Sequence, residues 1–295
     1  MMRRLTGKLW TLVTAPVRGL LWPYRAYRKF LDQEPQDNPT TDVIARAFAE
    51  PMLLVDHLEA LRRHLFRALI VVIGTTALSF AFASRILDLL ARPVGGVEAL
   101  QSIEVTESIG TFMRVSLLTG FVLAFPYILF ELFAFVNPGL KRAERRLVLF
   151  SIPFSFLLFA AGIGFTYFVV LPTALPFLLT FMGVTTVPRP SNYVRFVTSL
   201  MFWIGVSFQF PLVIYVLAGL GFVNARSLAR NWRFAIVGIA VLAAAATPTV
   251  DPVNMALVMA PMIVLYLISI VLAALAGAGR RRRAAQDAQP ADSAP

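Results

Sequence analysis

An all-α integral membrane protein, with six tilted transmembrane helices and both termini in the cytoplasm, is the architecture written into these 295 residues. Hydrophobic residues make up 58% of the chain and the mean hydropathy is +0.73, where soluble domains average about 45–50% apolar. Six apolar runs approach or exceed the ~20 residues that a helix needs to cross a bilayer. Basic clusters fall on alternate connections, always on one side of a six-span path, which orients the chain by the positive-inside rule.

Residues 1–48 form a basic amphipathic cytoplasmic extension and linker. Their first 31 residues carry seven basic and no acidic side chains, with Trp10, Trp22, Tyr24 and Tyr27 among them. Such a segment suits the surface of an anionic leaflet. It lacks the unbroken apolar core and small-residue cleavage site of a signal peptide. A polar linker, DQEPQDNPTTDVIA, leads to the membrane domain, residues 49–276.

Within that domain the expected spans are 66–84, 109–136, 147–171, 193–220, 234–247 and 253–276. Arg62, Arg63 and Arg67 lead into the first; Lys141, Arg142, Arg145 and Arg146 follow the second; Arg226, Arg230 and Arg233 follow the fourth. The fifth is short, about 21 Å at 1.5 Å per residue, which points to a thinned or sheltered position. Pro126, Pro153, Pro211 and Pro261 lie inside spans and predict bent helices. Residues 277–295 begin with four arginines, 280–283, and continue as a polar, alanine-rich, disordered cytoplasmic tail.

The net charge of +11 follows from orientation and calls for no nucleic acid. There is no cysteine. His57 and His64 lie seven apart with no carboxylate cluster, so no metal site is expected. No span holds two acids, no GxSxG occurs and no histidine falls within the membrane. The chain therefore reads as a non-enzyme without cofactor.

Polar groups at depth are the functional candidates. Glu131 is the one acid well inside a span, in PYILFELFAF. It is either protonated and hydrogen-bonded within the bundle, or faces a groove and meets a polar partner. Gln209 lies in GVSFQFP, two residues before Pro211, where an amide needs a partner and a proline breaks the helix ladder. Glu144, in NPGLKRAERR, is either locally salt-bridged or ready to bind a guanidinium.

In order along the chain, DHLEALRRHL, ARPV, ESIGTFMRVSLLTGFVLAFPYILFELFAFVNPGLKRAERR, YFVVLPTALPF, GVSFQFPLVIYVL and TPTVDPVN resemble the twin-arginine translocase subunit TatC. The resemblance covers roughly residues 50–275. It implies a concave, cupped arrangement of the helices with an extracytoplasmic cap, in which Pro93 and Asp251 are expected. It also implies a receptor in the cell inner membrane that binds twin-arginine signal peptides of folded cargo. Partners implied are TatA- and TatB-type single-span subunits, further TatC copies and the bilayer, with export driven by the proton-motive force. Carried over by position, signal-peptide binding falls to Glu59, Arg62, Phe135, Pro138, Glu144 and Arg145. Glu131, Gln209 and Pro211 become candidates for intramembrane partner contact.

Two departures from the family pattern stand out. The family places a glutamate directly before Leu-Arg in the first motif, but Ala60 stands there; Glu59 lies about 100° away around a helix, with Asp56 about one turn earlier. The fourth span carries Gln209 where many relatives have glutamate, and Glu131 takes a position often held by glutamine. The expectation is that acid and amide have exchanged helices while lining one concave face. Two alternatives remain: a diverged TatC paralogue with altered signal recognition, and a proton-coupled secondary transporter.

Overall fold

The computed structural model describes residues 51–137, 142–180, 187–247 and 252–287. The extension 1–48, Pro138, Asp251 and the tail from 288 lie outside the described residues, as does the Glu144 side chain. Among the described residues all regular structure is helical. The helices are α1 (Pro51–Ser79), α2 (Ala83–Ala91), α3 (Glu107–Val136), α4 (Arg142–Phe165), α5 (Leu171–Leu179), α6 (Pro190–Ser207), α7 (Phe210–Leu220), α8 (Ala225–Arg230), α9 (Trp232–Ala246) and α10 (Pro252–Asp287).

Among the described residues five stretches are long and apolar enough to cross a membrane: Val55–Val94, Glu107–Val136, Leu147–Leu179, Pro190–Leu220 and Met255–Gly279. The short span is α9, as its length in the sequence anticipates. Large apolar side chains stay exposed along the helices, including Ile70, Leu117, Phe154, Val213, Phe234 and Leu267. Lipid accepts such a surface and water does not.

The first, third and fourth spans depart from simple helices. A 3₁₀ turn at Phe80–Phe82 separates α1 from α2 without any proline or glycine. Just before it, the Ser79 hydroxyl donates to the Thr75 carbonyl at 2.7 Å, a back-bond that competes with the backbone ladder and bends helices. The third span runs on to Leu179 through a π turn at Thr166–Val170, directly ahead of Pro172, whose missing N–H would break the ordinary ladder. The helices run unbroken across Pro126, Pro153 and Pro261. Only near Pro211 does the ladder break, at Phe208 and Gln209, so that the proline falls in the first turn of α7, where no N–H is needed. α10 continues past residue 276 through the four arginines to Asp287.

The chain divides into two compact units. One comprises 51–64, 132–137 and 142–146; the other comprises 65–131 and the described residues from 147 onward. In the second unit α6 lies at the centre, with Val194, Val197 and Ile204 fully buried. Around it pack Leu90 of α2, Val115 of α3, Leu171 and Leu175 of α5, Ile239 of α9 and Met262 of α10. Phe159 of α4, also fully buried, stacks on Phe125 of α3 at 3.9 Å between ring centres. Gly205 of α6 makes room for that ring: a Cβ there would stand 2.8 Å from it. Gly120 of α3 lies directly against the backbone of Thr76 in α1, and the Thr75 hydroxyl reaches the Gly120 carbonyl at 2.8 Å. Small residues of this kind let helix backbones approach closely in lipid.

Candidate functional site

The first unit brings together the two stretches expected to receive a signal peptide. On α1, His57 and His64 are two turns apart and share one face. The Phe135 ring of α3 packs against both, with centres 4.5 Å from His57 and 6.1 Å from His64. The two histidines thus act as ring contacts, and among the described residues no group of His, Cys, Asp or Glu could hold a metal. Glu59, Arg62 and Arg63 are exposed on α1. Glu59 stands 4.0 Å from Arg63 one turn later, a contact worth under about 1 kcal/mol at such exposure. Its carboxylate is therefore accessible to a cationic ligand.

Arg145, named among the expected signal-binding residues, is buried in this unit. Only 2% of it is exposed, and Asn137 is fully buried in the same unit. Glu144 belongs to the first turn of α4.

The deep polar groups belong to the second unit, and the structure does not pair them with each other. Glu131 is 3% exposed, accepts a hydrogen bond from the Tyr127 hydroxyl one turn earlier on α3, and lies 4.0 Å from the Arg67 guanidinium of α1. The i, i+4 spacing of Tyr127 and Glu131 was visible in the sequence; Arg67, classed there only as an orienting charge, was not. Gln209 was expected to offer its amide outward or to Glu131. Instead its Oε1 accepts from the Ser155 hydroxyl at 2.8 Å and its Nε2 donates to the Ser155 carbonyl at 2.9 Å. A buried amide satisfies itself on the nearest polar group, here on α4. Pro211 is buried in the first turn of α7.

Pro93 forms part of a tightly pinned corner. It lies in a 3₁₀ turn, Arg92–Val94, followed by Gly95 and Gly96 at φ 100° and 101°, a left-handed backbone that favours glycine. The hydroxyls of Tyr193 and Tyr167 donate to the carbonyls of Leu90 and Leu89 at 2.5 and 2.8 Å, satisfying the end of α2. Nearby, Glu107 at the start of α3 accepts from the Ile103 N–H at 3.2 Å, and from both the N–H (3.1 Å) and the hydroxyl of Ser191 in α6. Arg189 completes the clamp, 3.0 Å from Glu104 and 3.6 Å from Glu107; these carboxylates, the Glu104 hydrogen bond foremost, raise its pKa above the ordinary value. Nothing local in the sequence signals this clamp, because Glu107 and Ser191 are 84 residues apart.

Comparison with known proteins matches this arrangement. The family described as "Sec-independent protein translocase protein (TatC)" matches residues 56–261. The TatC protein of Carboxydothermus hydrogenoformans is 36% identical over 227 residues, 76% of this chain and 93% of the relative. That of Deinococcus radiodurans is 36% identical over 228 residues, 74% and 84% respectively. A chloroplast TatC from Pisum sativum is 37% identical over 230 residues, 77% of this chain and 65% of its own. Among solved structures, a crystal structure of the twin-arginine translocase receptor TatC superposes with a TM-score of 0.67 at 33% identity, covering 75% of this chain and 99% of that one. With these matches over most of its length, the chain is a multi-pass membrane subunit of the Sec-independent protein translocase and belongs to the TatC family.

Proposed function

We propose that this subunit is the signal-receiving core of a twin-arginine translocase. It lies in the cell inner membrane with both termini cytoplasmic, and binds the twin-arginine signal peptides of folded cargo. It assembles with TatA- and TatB-type single-span subunits and with further copies of itself, and export is driven by the proton-motive force. The observation that carries the reading is the composition of the first unit. It gathers residues 57–63, 135–137 and 142–145, described parts of the two motifs through which the resemblance assigns signal binding, and Phe135 packs on His57.

The chemistry fits. Two arginines of a signal need carboxylates that accept bidentate, charge-assisted bonds. Glu59 and Glu144 supply them, Arg62 sets the local charge, Phe135 and Pro138 shape the loop, and Arg145 supports it from within. Pro93 and Asp251 belong to an extracytoplasmic cap in this reading. Glu131 serves as the intramembrane contact for a partner, and Pro211 sets the break in the fourth span.

A photo-crosslinker at position 144 or 59, offered a twin-arginine signal peptide, tests the proposal. The expected result is capture at both positions that falls when the arginine pair is replaced by lysines. Absence of capture at either position would overturn it. Ala60 favours a second reading, a TatC with altered recognition. Capture at 144 alone, with no export of a twin-arginine reporter in a strain lacking its own TatC, would select that reading.

A further inference from the structure

Two cavities lie in register along the seam where α7 packs on α10. Ser207, Phe210, Ile214 and Ala218 line them from one side and Met262, Tyr266, Ser269, Ala273 and Gly277 from the other. Phe210, Ile214 and Ala218 recur every four residues along α7, with Ser207 at the end of α6 just ahead of the break, and the α10 set recurs every three or four, so each row lines one side of the seam. The first cavity, about 210 Å³, is closed on its third side by α9 and is overwhelmingly apolar. The second, about 590 Å³, is wider and is bordered by Asn224 and Arg226. The Tyr266 hydroxyl donates to the Leu228 carbonyl at 2.7 Å, which fixes α8 beside the seam.

The charge around the wider cavity is unbalanced. Among the described residues, neither Arg226 nor Arg230 is engaged by a hydrogen bond or an ion pair. Arg233 lies 5.8 Å over the Trp232 ring, which is itself half exposed, as is typical of a membrane interface.

We propose that this seam is a binding site for one anionic phospholipid. The phosphate is held by Arg226 in the wider cavity, and an acyl chain runs down the seam into the apolar cavity. The axial distance from Gly277 to Tyr266 is about 17 Å, close to the ~15 Å depth of one leaflet. A free phosphate would use only the basic end, and an apolar partner helix would leave the arginines without a counter-charge. A lipid uses both ends. The inference does not depend on signal-peptide binding.

The test uses the full chain, delipidated in neutral detergent and titrated with fluorescent phosphatidylglycerol, with phosphatidylcholine and inorganic phosphate as competitors. Saturable one-to-one binding of phosphatidylglycerol is expected, with phosphatidylcholine competing poorly. Arg226→Gln should weaken binding about fivefold. Gly277→Leu and Gly238→Leu each fill one cavity. At both positions an added Cβ meets nothing within 4 Å, so the branch adds no backbone clash; with Tm unchanged as the check on folding, lipid binding should fall. Equal competition by phosphatidylcholine, or unchanged binding in all three variants, would overturn the proposal. So would inorganic phosphate competing as well as lipid while Gly238→Leu is silent, which marks a free-anion site. Loss of crosslinking to a single-span partner in the glycine variants, with lipid binding intact, would mark a helix-docking seam instead.

Discussion

Gly120→Ala is the most demanding test of how α1 meets α3. A Cβ at this position would stand 2.3 Å from the Thr76 Oγ1, 2.5 Å from its Cα and 2.6 Å from its N. Ordinary van der Waals contact begins near 3.4 Å, so the two backbones must part by about 1 Å, and no rotamer change can relieve it. Overpacking of this kind costs about 1–3 kcal/mol. Separation also stretches the Thr75 hydroxyl bond to the Gly120 carbonyl, worth roughly 0.6 kcal/mol in a membrane bundle. The gain in helix propensity, up to about 1 kcal/mol, opposes both. The net expectation is a loss of roughly 0.6–2.6 kcal/mol, read as a fall of several degrees in Tm of the detergent-solubilised protein. Gly164→Ala is the control, since nothing lies within 4 Å of its added Cβ; it should be neutral or slightly stabilising. Adding Thr76→Ala removes the Oγ1 clash but leaves the Cα and N, so it should rescue only part of the loss. Equal Tm values for Gly120→Ala and Gly164→Ala would refute the close approach.

Gln209→Leu leaves the Ser155 hydroxyl and carbonyl without their partner and should cost about 1–2 kcal/mol; a double-mutant cycle with Ser155→Ala should return a positive coupling energy, and simple additivity would count against the pair. Glu107→Ala releases Ser191 and Arg189 together and should destabilise by about 1–3 kcal/mol, seen as faster proteolysis of the 99–106 loop, with Glu107→Gln less affected because one acceptor oxygen remains. Glu131→Gln keeps an acceptor for Tyr127 but removes the carboxyl group facing Arg67, so it should lower export while leaving Tm nearly unchanged. Unchanged export and unchanged partner crosslinking would remove Glu131 from the functional set.

Element existence was legible in the sequence because it depends on length and apolarity alone. Span five is the clearest case: fourteen residues of apolar sequence, 234–247, became the short helix α9. Breaks were less legible. Pro211 signalled the interruption at Phe208–Gln209, but Pro126, Pro153 and Pro261 sit in helices that run through them, and interior prolines of this kind are tolerated in membrane helices. The turn at Phe80–Phe82 had no signal beyond Ser79, whose back-bond needs the folded backbone to be seen. The site divides in the same way. Phe135 and the histidines were marked by motif and spacing, whereas Arg67 beside Glu131, Ser155 beside Gln209 and Ser191 beside Glu107 are tertiary pairings. Local sequence carries no information on such partners, so each deep polar group could be flagged but not matched.

The bond between Ser155 and Gln209 also bears on how the protein is made. The serine precedes the amide by 54 residues, so a chain inserted N-terminus first delivers α4 to the bilayer before the broken fourth span arrives. The glutamine then enters hydrocarbon beside a hydroxyl and a carbonyl already waiting for it, and need never be held there alone. Biogenesis in the order of synthesis meets the desolvation cost of the amide at the moment it arises. A circular permutation that placed residues 190–220 ahead of residue 142 would deprive it of that partner.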